Sequence, residues 1–259
     1  MTAWVLDLDG VLWRGAVEIP GSVAAVNTLL ERGDQVVFAT NNAWAEPDTH
    51  ERRLAGMGIA DTAGRVITSA LAAGSLVNAG ERVAVLGGPG LQAAVAARGA
   101  QLVSFDDAPL VGGADALLVG LDKELSYPRL GAAVRTVLAG ARLIASNTDP
   151  TFPTDTEPLP GAGSVVAAVE RATATDAVVA GKPHRPMADL ARQRLADRGA
   201  DLTDVVMVGD RFSTDGRFAG ALGARFVRVR SGIGADEASP DDVPTFAEVD
   251  DLAAAIDLI

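Results

Sequence analysis

The stretch WVLDLDGVL (residues 4–12) decides how this chain is interpreted, because a continuous apolar run leads directly into two aspartates and a glycine. Similar short apolar runs recur along the chain, and continuous rather than alternating apolar strands are buried on both faces, as in parallel sheets. The predicted strands are 4–8, 36–39, 83–86, 116–119, 143–145, 178–180, 205–208 and 226–229. The predicted helices lie between them at 22–32, 48–57, 69–78, 91–98, 127–138, 164–172, 186–198 and 214–222. This alternation predicts an α/β fold with a doubly wound parallel sheet.

The composition excludes several classes of protein. The chain has 259 residues, of which 48% are hydrophobic and 22% charged, an ordinary balance for a globular protein. Its net charge of -12 argues against binding to nucleic acid or anionic membranes, which needs a basic surface. The absence of cysteine excludes disulfides, zinc–thiolate sites and thiol catalysis. No basic leader and no apolar run of about 18 residues is present, so we expect a soluble cytoplasmic protein.

Polar residues follow four of the predicted strands at their carboxyl ends. In an open parallel sheet these ends share one edge, where ligands bind. We therefore expect this edge to collect two aspartates and a glycine, a hydroxyl with two amides, a lysine, and two more acids: Asp7, Asp9 and Gly10; Thr40, Asn41 and Asn42; Lys182; and Asp210 and Asp215.

Asp7 and Asp9 point the same way if they continue the strand, because side chains alternate along it. Burying two adjacent carboxylates is costly without a cation, and Mg²⁺ prefers oxygen ligands. Asp210 follows another apolar strand and is a candidate third carboxylate for the same metal. The alternative for Asp9-Gly10 is a simple turn, since Asp-Gly is a common turn dipeptide.

The remaining polar residues each allow a structural as well as a functional interpretation. Asp215 lies near the start of a predicted helix, where an acid is favoured in any case. Lys182, one of only two lysines, is either a surface residue or a point charge that neutralises a phosphate or a carboxylate. Thr40 is either a helix N-cap or a phosphate-binding hydroxyl, and the sequence alone does not separate the two.

Taken together, these residues resemble the haloacid dehalogenase superfamily of phosphatases. The matching motifs occur in the family's order, each after an apolar run: DLDGV (7–11), ATNN (39–42), GKP (181–183) and GDRFSTD (209–215). The long insertion resembles the class II-A cap of the p-nitrophenylphosphatase, phosphoglycolate phosphatase and nucleotide phosphatase group, through VGLDKELSY (119–127), ASNTDPTFPT (145–154) and PGAGS (160–164). One departure is Ala43-Trp44, where the family often has a small hydroxyl residue after the two asparagines.

The resemblance implies a catalytic core at 1–78 and 179–259, with a smaller α/β cap domain inserted at 79–178. It implies that Asp7 is a nucleophile that forms an aspartyl-phosphate, and that Asp9 is the general acid and then the base. Mg²⁺ would be held by Asp7, the backbone carbonyl of Asp9, and Asp210, with Asp215 in the outer shell.

The phosphoryl group is expected to be bound by Thr40, Asn41, Asn42 and Lys182. Phe152 lies between two prolines in a segment predicted to be a loop, and the resemblance implies that it contacts the leaving group of the substrate. The partners that we expect are a small phosphorylated metabolite (phosphoglycolate, glycerol phosphate, a sugar phosphate or a nucleotide) and a second copy of the chain, as a dimer through the cap. We expect neither a nucleic-acid nor a membrane partner.

Two other functions remain open at this point. A phosphomutase on the same fold usually carries its cap between the first two motifs, where this chain has only residues 11–38. A non-catalytic module that binds a phosphorylated ligand is disfavoured because Asp7 and Asp9 are both present. A dinucleotide-dependent dehydrogenase fits poorly, since no GxGxxG follows the first strand.

Overall fold

The computed structural model describes residues 1–105, 113–152, 157–232, 234 and 237–259. Its contacts divide the chain into two compact units. The first unit, called the core unit below, comprises Met1–Thr40, Pro47–Ile67 and Lys182–Ile259. The second, called the inserted unit, comprises Asn41–Glu46 and Thr68–Gly181. The predicted limits of the cap, 79–178, lie within the range Thr68–Gly181 of the inserted unit.

The described strands and helices are numbered in chain order. The strands are β1 Ala3–Leu6, β2 Trp13–Arg14, β3 Val17–Glu18, β4 Gln35–Thr40, β5 Val66–Thr68, β6 Arg82–Leu86, β7 Gln101–Val103, β8 Ala116–Val119, β9 Arg142–Ala145, β10 Thr151–Phe152, β11 Leu159–Pro160, β12 Val178–Val179, β13 Val205–Gly209, β14 Arg225–Val229 and β15 Ala247–Val249. The helices are α1 Ser22–Glu31, α2 Pro47–Gly56, α3 Ser69–Gly74, α4 Pro89–Ala97, α5 Tyr127–Leu138, α6 Ala162–Thr173, α7 Arg185–Asp197, α8 Arg217–Leu222 and α9 Leu252–Ile256, with a π-helical turn at Phe212–Gly216.

The core unit contains a six-stranded sheet in the order β15-β14-β13-β1-β4-β5. Its central strand β1 pairs in parallel with both β13 and β4. All four residues of β1 are buried, because helices cover both faces of the sheet. Trp4 and Leu6 pack on one face with Ala25 and Leu29 of α1, and this burial of a continuous apolar strand is what the sequence predicted.

The inserted unit contains a second parallel sheet, in the order β12-β9-β8-β6-β7. Leu117 and Val119 of β8 pack with Val137 of α5 and with Val166 and Val169 of α6. A two-stranded antiparallel pair, β10 with β11, accompanies this sheet. The chain is therefore α/β throughout, with two separate parallel sheets, as predicted.

Each of the eight predicted strands overlaps an observed one, and the elements that periodicity missed are short. The missed strands are β2, β3, β5, β7, β10, β11 and β15, of two or three residues each, and the missed helix is α9. The segment around Phe152 needs correction: we predicted a loop, but Thr151–Phe152 pairs with Leu159–Pro160 as a strand. Residues 153–154 of the predicted loop lie outside the described residues. Within the described residues, no helix has the length and apolar character needed to cross a membrane.

Candidate active site

Three neighbouring strands of the core unit deliver polar residues to one edge of the sheet. The register pairs Leu6 of β1 with Val208 of β13 and with Phe38 of β4. Asp7 follows β1 directly and its N–H still donates to the carbonyl of Val208 at 2.9 Å. Asp210 follows β13, and Thr40 is the last residue of β4, so the predicted convergence of these strand ends is observed.

Lys182 joins two of the carboxylates at this edge. Its Nζ lies 2.7 Å from Oδ1 of Asp7 and 2.6 Å from Oδ1 of Asp215. The lysine is only 3% exposed, so the alternative of a surface lysine is wrong. A buried ammonium that is shared by two carboxylates indicates a pre-formed polar centre.

Three carboxylates of the centre also lie close enough to hold a metal ion. One oxygen each of Asp7, Asp210 and Asp215 lies within 4.8 Å of the others, and all three residues are buried. Against these three negative charges stands the single positive charge of Lys182. The residual charge of two is that of one divalent cation, and carboxylate oxygens are the ligands that Mg²⁺ prefers. The residues present therefore fit a Mg²⁺ ion.

The electrostatics of the centre agree with this. Burial raises the pKa of Asp7 well above its usual value, and the charges of Asp215, Asp210 and Asp9 raise it further against the opposing effect of Lys182. Burial, followed by the charge of Asp215, raises the pKa of Asp210 to about 6. Burial opposes the charge on Lys182, but Asp215 and Asp7 outweigh it and raise the lysine's pKa. Without a further cation, the centre carries more negative charge than its surroundings favour.

Asp210 is surrounded by three glycines, of which Gly10 was expected at this edge, whereas Gly232 and Gly234 were not. The N–H of Gly234 donates to its Oδ2 at 3.0 Å. Gly10 has φ of +88°, and a Cβ there would lie 2.7 Å from Cγ of Asp210, so only glycine fits. Gly232 approaches the same carboxylate closely. The signal for this part of the site was the pair of glycines after the β14 strand, where the sheet edge continues.

Asp215 faces the centre. Its Oδ2 accepts from the N–H of Arg211 at 3.2 Å, while its Oδ1 is occupied by Lys182. The helix α8 begins after Gly216 with no side-chain cap. Asp215 lies in the first turn of the π-helical segment Phe212–Gly216, as the capping alternative expects, and it also binds the buried ammonium of Lys182.

Asp9 lies beside the centre but differs from its neighbours, because its side chain is exposed. Its carboxylate is outside the group of three described above and accepts a hydrogen bond from Nε1 of Trp13 at 2.9 Å. The turn that Asp-Gly predicts is also real, since the N–H of Gly10 donates to the carbonyl of Trp13 at 2.7 Å. Asp9-Gly10 is thus part of a turn and of the site.

The three predicted phosphoryl-binding residues that remain are Thr40, Asn41 and Asn42, and they are divided between the two units. Thr40 is buried in the core unit. Asn41 and Asn42 belong to the inserted unit, where Nδ2 of Asn41 donates to both carboxylate oxygens of Asp149 at 3.2 Å. Oδ1 of Asn42 accepts from the N–H of Trp44 at 3.0 Å.

Phe152 also belongs to the inserted unit and is half-buried. The Nζ of Lys123 lies 5.5 Å from its ring centre and 4.7 Å from that of Trp44. Trp44, which departs from the family pattern after the two asparagines, and Phe152 therefore contact the same cation.

The chain matches two family models and is similar to several known phosphatases. A family model described as haloacid dehalogenase-like hydrolase matches residues 4–101, and one described as HAD-hydrolase-like matches residues 179–255. The chain is 35% identical to an acid sugar phosphatase of Staphylococcus saprophyticus over 216 residues, which cover 82% of this chain and 80% of that protein.

Two solved structures are similar over almost the whole chain. A hypothetical protein of Pyrococcus horikoshii has a TM-score of 0.91 and 32% identity, covering 100% of this chain and 99% of that one. A glycerol phosphate phosphatase of Mycobacterium tuberculosis in complex with magnesium has a TM-score of 0.83 and 33% identity, covering 97% of this chain and 75% of that one.

Proposed function

Because this chain belongs to the haloacid dehalogenase-like hydrolases, we propose that it is a Mg²⁺-dependent phosphomonoesterase acting on small sugar or polyol phosphates. The observation that carries the proposal is the buried ammonium of Lys182, bound to Asp7 and Asp215 where β1 and β13 end. The substrate class is supported by the relatives, which are named as an acid sugar phosphatase and a glycerol phosphate phosphatase. The bound magnesium of the latter supports the metal.

The first step is transfer of the phosphoryl group to Asp7. A carboxylate oxygen of Asp7 forms a bond to phosphorus while the ester P–O bond breaks, and the bonding electron pair goes to the leaving oxygen. Asp9 donates its proton to that oxygen, so that an alcohol leaves. Asp9 then removes a proton from water, which attacks phosphorus, releases inorganic phosphate and restores the Asp7 carboxylate.

Lys182 holds the nucleophile in place and neutralises charge on the transferring phosphoryl group. Because it donates to Oδ1 of Asp7, the other oxygen is the one available to attack. Thr40 and the backbone of Asn41 and Asn42 would bind the phosphoryl oxygens. When bound by Asp7, Asp210 and the backbone carbonyl of Asp9, with Asp215 in the outer shell, Mg²⁺ supplies further positive charge to the phosphoryl oxygens.

The inserted unit is the part of the chain that we propose as a cap, with Phe152 as a contact to the leaving group. A phosphate site is common to all phosphomonoesters, so discrimination between sugars and polyols needs contacts from elsewhere. Phe152 is half-buried and is not part of the apolar cluster that packs around the five-stranded sheet of its unit. This partial exposure supports a role in binding.

The test is phosphate release from a panel of sugar phosphates, glycerol phosphates, phosphoglycolate and nucleotides. We expect kcat/KM to be highest for the first two groups, activity to vanish in EDTA and to return with Mg²⁺ but not well with Ca²⁺, whose looser coordination misplaces the phosphoryl group. Rapid acid quench with ³²P-labelled substrate should trap phosphate on the wild-type protein but not on Asp7→Asn. Full activity after exhaustive chelation, or isomerised phosphate esters without phosphate release, would contradict the proposal.

A further inference from the structure

Trp13 is a residue with no assigned role, although it contacts the exposed carboxylate of Asp9. Its indole Nε1 donates to Oδ1 of Asp9 at 2.9 Å. The two residues are four apart and are joined by a tight turn, in which the N–H of Gly10 donates to the carbonyl of Trp13. The turn leads into the hairpin β2–β3, where Trp13 pairs with Glu18. The backbone therefore fixes where the indole N–H points.

The ring itself is also fixed. Trp13 is only 1% exposed and is part of the core cluster that includes Leu8 and Leu54. The guanidinium carbon of Arg53 lies 3.8 Å from the ring centre, and Arg53 in turn donates to the carbonyl of Gly15 at 2.6 Å. A ring packed on the core and covered by a cation has little rotational freedom. The indole N–H is therefore a rigid donor beside an exposed carboxylate.

In the contact between Trp13 and Asp9, the indole is the donor and the carboxylate oxygen is the acceptor. An indole N–H donates and never accepts, so the oxygen that faces Trp13 cannot carry a proton on that side. With Oδ1 of Asp9 occupied by the indole, Oδ2 is the oxygen left for a proton that is passed to a leaving group. Rigid positioning of a general acid matters because proton transfer requires hydrogen-bond distance and alignment.

We propose that Trp13 is a positioning residue for Asp9, and that its indole N–H holds Oδ1 so that Oδ2 faces the leaving oxygen of the substrate. This inference rests on the proposed function, because it assumes that Asp9 acts as the general acid. In the first step the Oδ2–H bond breaks, the proton goes to the leaving oxygen, and the P–O electron pair is accepted there. Trp13 exchanges no proton.

The chain offers a matched control in Trp4. Trp4 is also 1% exposed, is part of the same apolar cluster, and also donates from Nε1 to a carboxylate, Oδ2 of Asp34 at 3.3 Å. That bond joins Trp4 to the residue before β4 rather than to the site. A Trp→Phe change at either position removes one indole N–H and leaves an aromatic ring.

The experiment compares kcat/KM for glycerol 3-phosphate, a poor leaving group, with that for 4-nitrophenyl phosphate, a good one. Trp13→Phe should lower the first by about tenfold or more and the second by less than about threefold, because acid assistance matters most for poor leaving groups. Trp4→Phe should leave the ratio of the two unchanged. In an Asp9→Asn background, Trp13→Phe should cause no further loss, since two residues that act through one proton are not additive.

A second variant covers the case in which Trp13→Phe unfolds. Benzothienylalanine at position 13, introduced by stop-codon suppression, replaces the indole N–H with sulfur and keeps the ring volume. It should reproduce the dependence on leaving group with little change in Tm. Equal losses for both substrates, or a full additional loss in the Asp9→Asn background, would show that Trp13 acts only as core. If the wild type releases phosphate from neither substrate, or Asp9→Asn is harmless, the proposed function fails instead.

Discussion

The two parallel sheets of this chain are built alike along their strands and differ at the strands' carboxyl ends. In the core unit, the ends of β1, β4 and β13 lead into Asp7, Thr40 and Asp210. In the inserted unit, β6 and β8 lead into glycine and β9 into Ser146-Asn147. Both sheets bury continuous apolar strands between helices. Among the described residues, the cluster of three buried carboxylates lies in the core unit.

The fold sets the place of a site, whereas the residues at the strand ends set its chemistry. In the inserted unit, buried Asn147 donates from Nδ2 to the carbonyl of Asn41 at 2.8 Å, so neutral groups satisfy one another. Its buried acid, Asp122, is paired with Arg129 at 2.8 Å. In the core unit, three carboxylates share one lysine. This excess of buried negative charge is favourable only when a further cation is bound.

The largest effect is expected from removal of the Asp7 carboxylate in the core unit. Asp7→Asn should lower kcat by at least about 10³-fold for every substrate, because an amide is not a competent nucleophile. The Tm of the metal-free protein should stay level or rise, since burial disfavours the Asp7 charge. Steady-state kinetics and thermal unfolding in EDTA measure both.

Asp122→Asn is the matched control from the inserted unit. It removes the charge of another buried aspartate beyond a strand end, yet we expect kcat/KM for 4-nitrophenyl phosphate to change by less than about threefold. Loss of its pairing with Arg129 should cost about 1–3 kcal/mol of unfolding free energy. An Asp7→Asn enzyme within tenfold of wild type would show that catalysis does not depend on this carboxylate.

Removal of the shared cation tests why the core unit can bury three acids. Lys182→Met should lower the unfolding free energy of the metal-free protein at pH 7.5 by about 3–5 kcal/mol, because Asp7 and Asp215 lose their buried counter-charge. The loss should shrink at pH 5, because burial raises the pKa of Asp7 and this carboxylate then takes up a proton. Urea unfolding at both pH values gives the numbers.

Lys123→Met, at the only other lysine of the chain, is the control in the inserted unit. Lys123 is exposed and its contacts are with the rings of Trp44 and Phe152, so the cost should stay below about 1 kcal/mol. If the two lysine variants lose similar unfolding free energy, the buried ion pairs of Lys182 do not stabilise the fold more than the exposed contacts of Lys123 do.

Metal binding in the core unit should depend on pH because Asp210 is buried beside other carboxylates. Asp210 has a pKa of about 6 in the folded, metal-free protein, above the value of about 3.9 in an unfolded chain. Between these values the folded state binds the extra proton, so the stability of the metal-free protein falls as pH rises from about 4 through 6. Mg²⁺ competes with that proton, so its Kd should rise about tenfold per pH unit below 6.

Titration calorimetry at pH 5, 6 and 7.5 measures this directly, with thermal unfolding in EDTA as the second readout. Asp210→Asn should bind Mg²⁺ weakly and lose most of the pH dependence below 6. If the Kd for Mg²⁺ is the same at pH 5 and pH 7.5, a proton does not compete with the metal at Asp210, and the raised pKa that we assign to this carboxylate is wrong.

The smallest expected effect concerns specificity. Phe152→Ala should change kcat/KM by a few-fold to different extents across sugar, polyol and aryl phosphates, with small aryl phosphates least affected. Tm should move little because Phe152 is half-buried and lies outside the main apolar cluster of its unit. Phe105→Ala, at a residue that packs against that cluster, should lower Tm and affect all substrates alike. If Phe152→Ala also lowers Tm and reduces kcat/KM equally for all substrates, Phe152 has a structural role and does not contact the substrate.

Much of the site followed from the sequence because each member is local to a strand end. Asp7, Thr40 and Asp210 come directly after apolar runs, and parallel strands bring such positions to one edge. Short elements escaped prediction, since two or three residues carry no periodicity: the hairpin β2–β3 and the strand at Phe152 were missed for that reason. The hairpin matters most, because it carries Trp13.

The α/β class, eight of the fifteen described strands and the set of polar residues at the strand ends could be predicted from the sequence alone. This was possible because continuous apolar runs can only be buried on both faces, and polar residues beyond them must lie at the sheet edge. Only the tertiary structure decided which partners these residues have. Lys182 meets Asp215 across 33 positions, Asp210 meets Gly234, and the ring of Trp13 meets Arg53. Such contacts depend on how separate segments pack in space, and no local pattern in the chain encodes them.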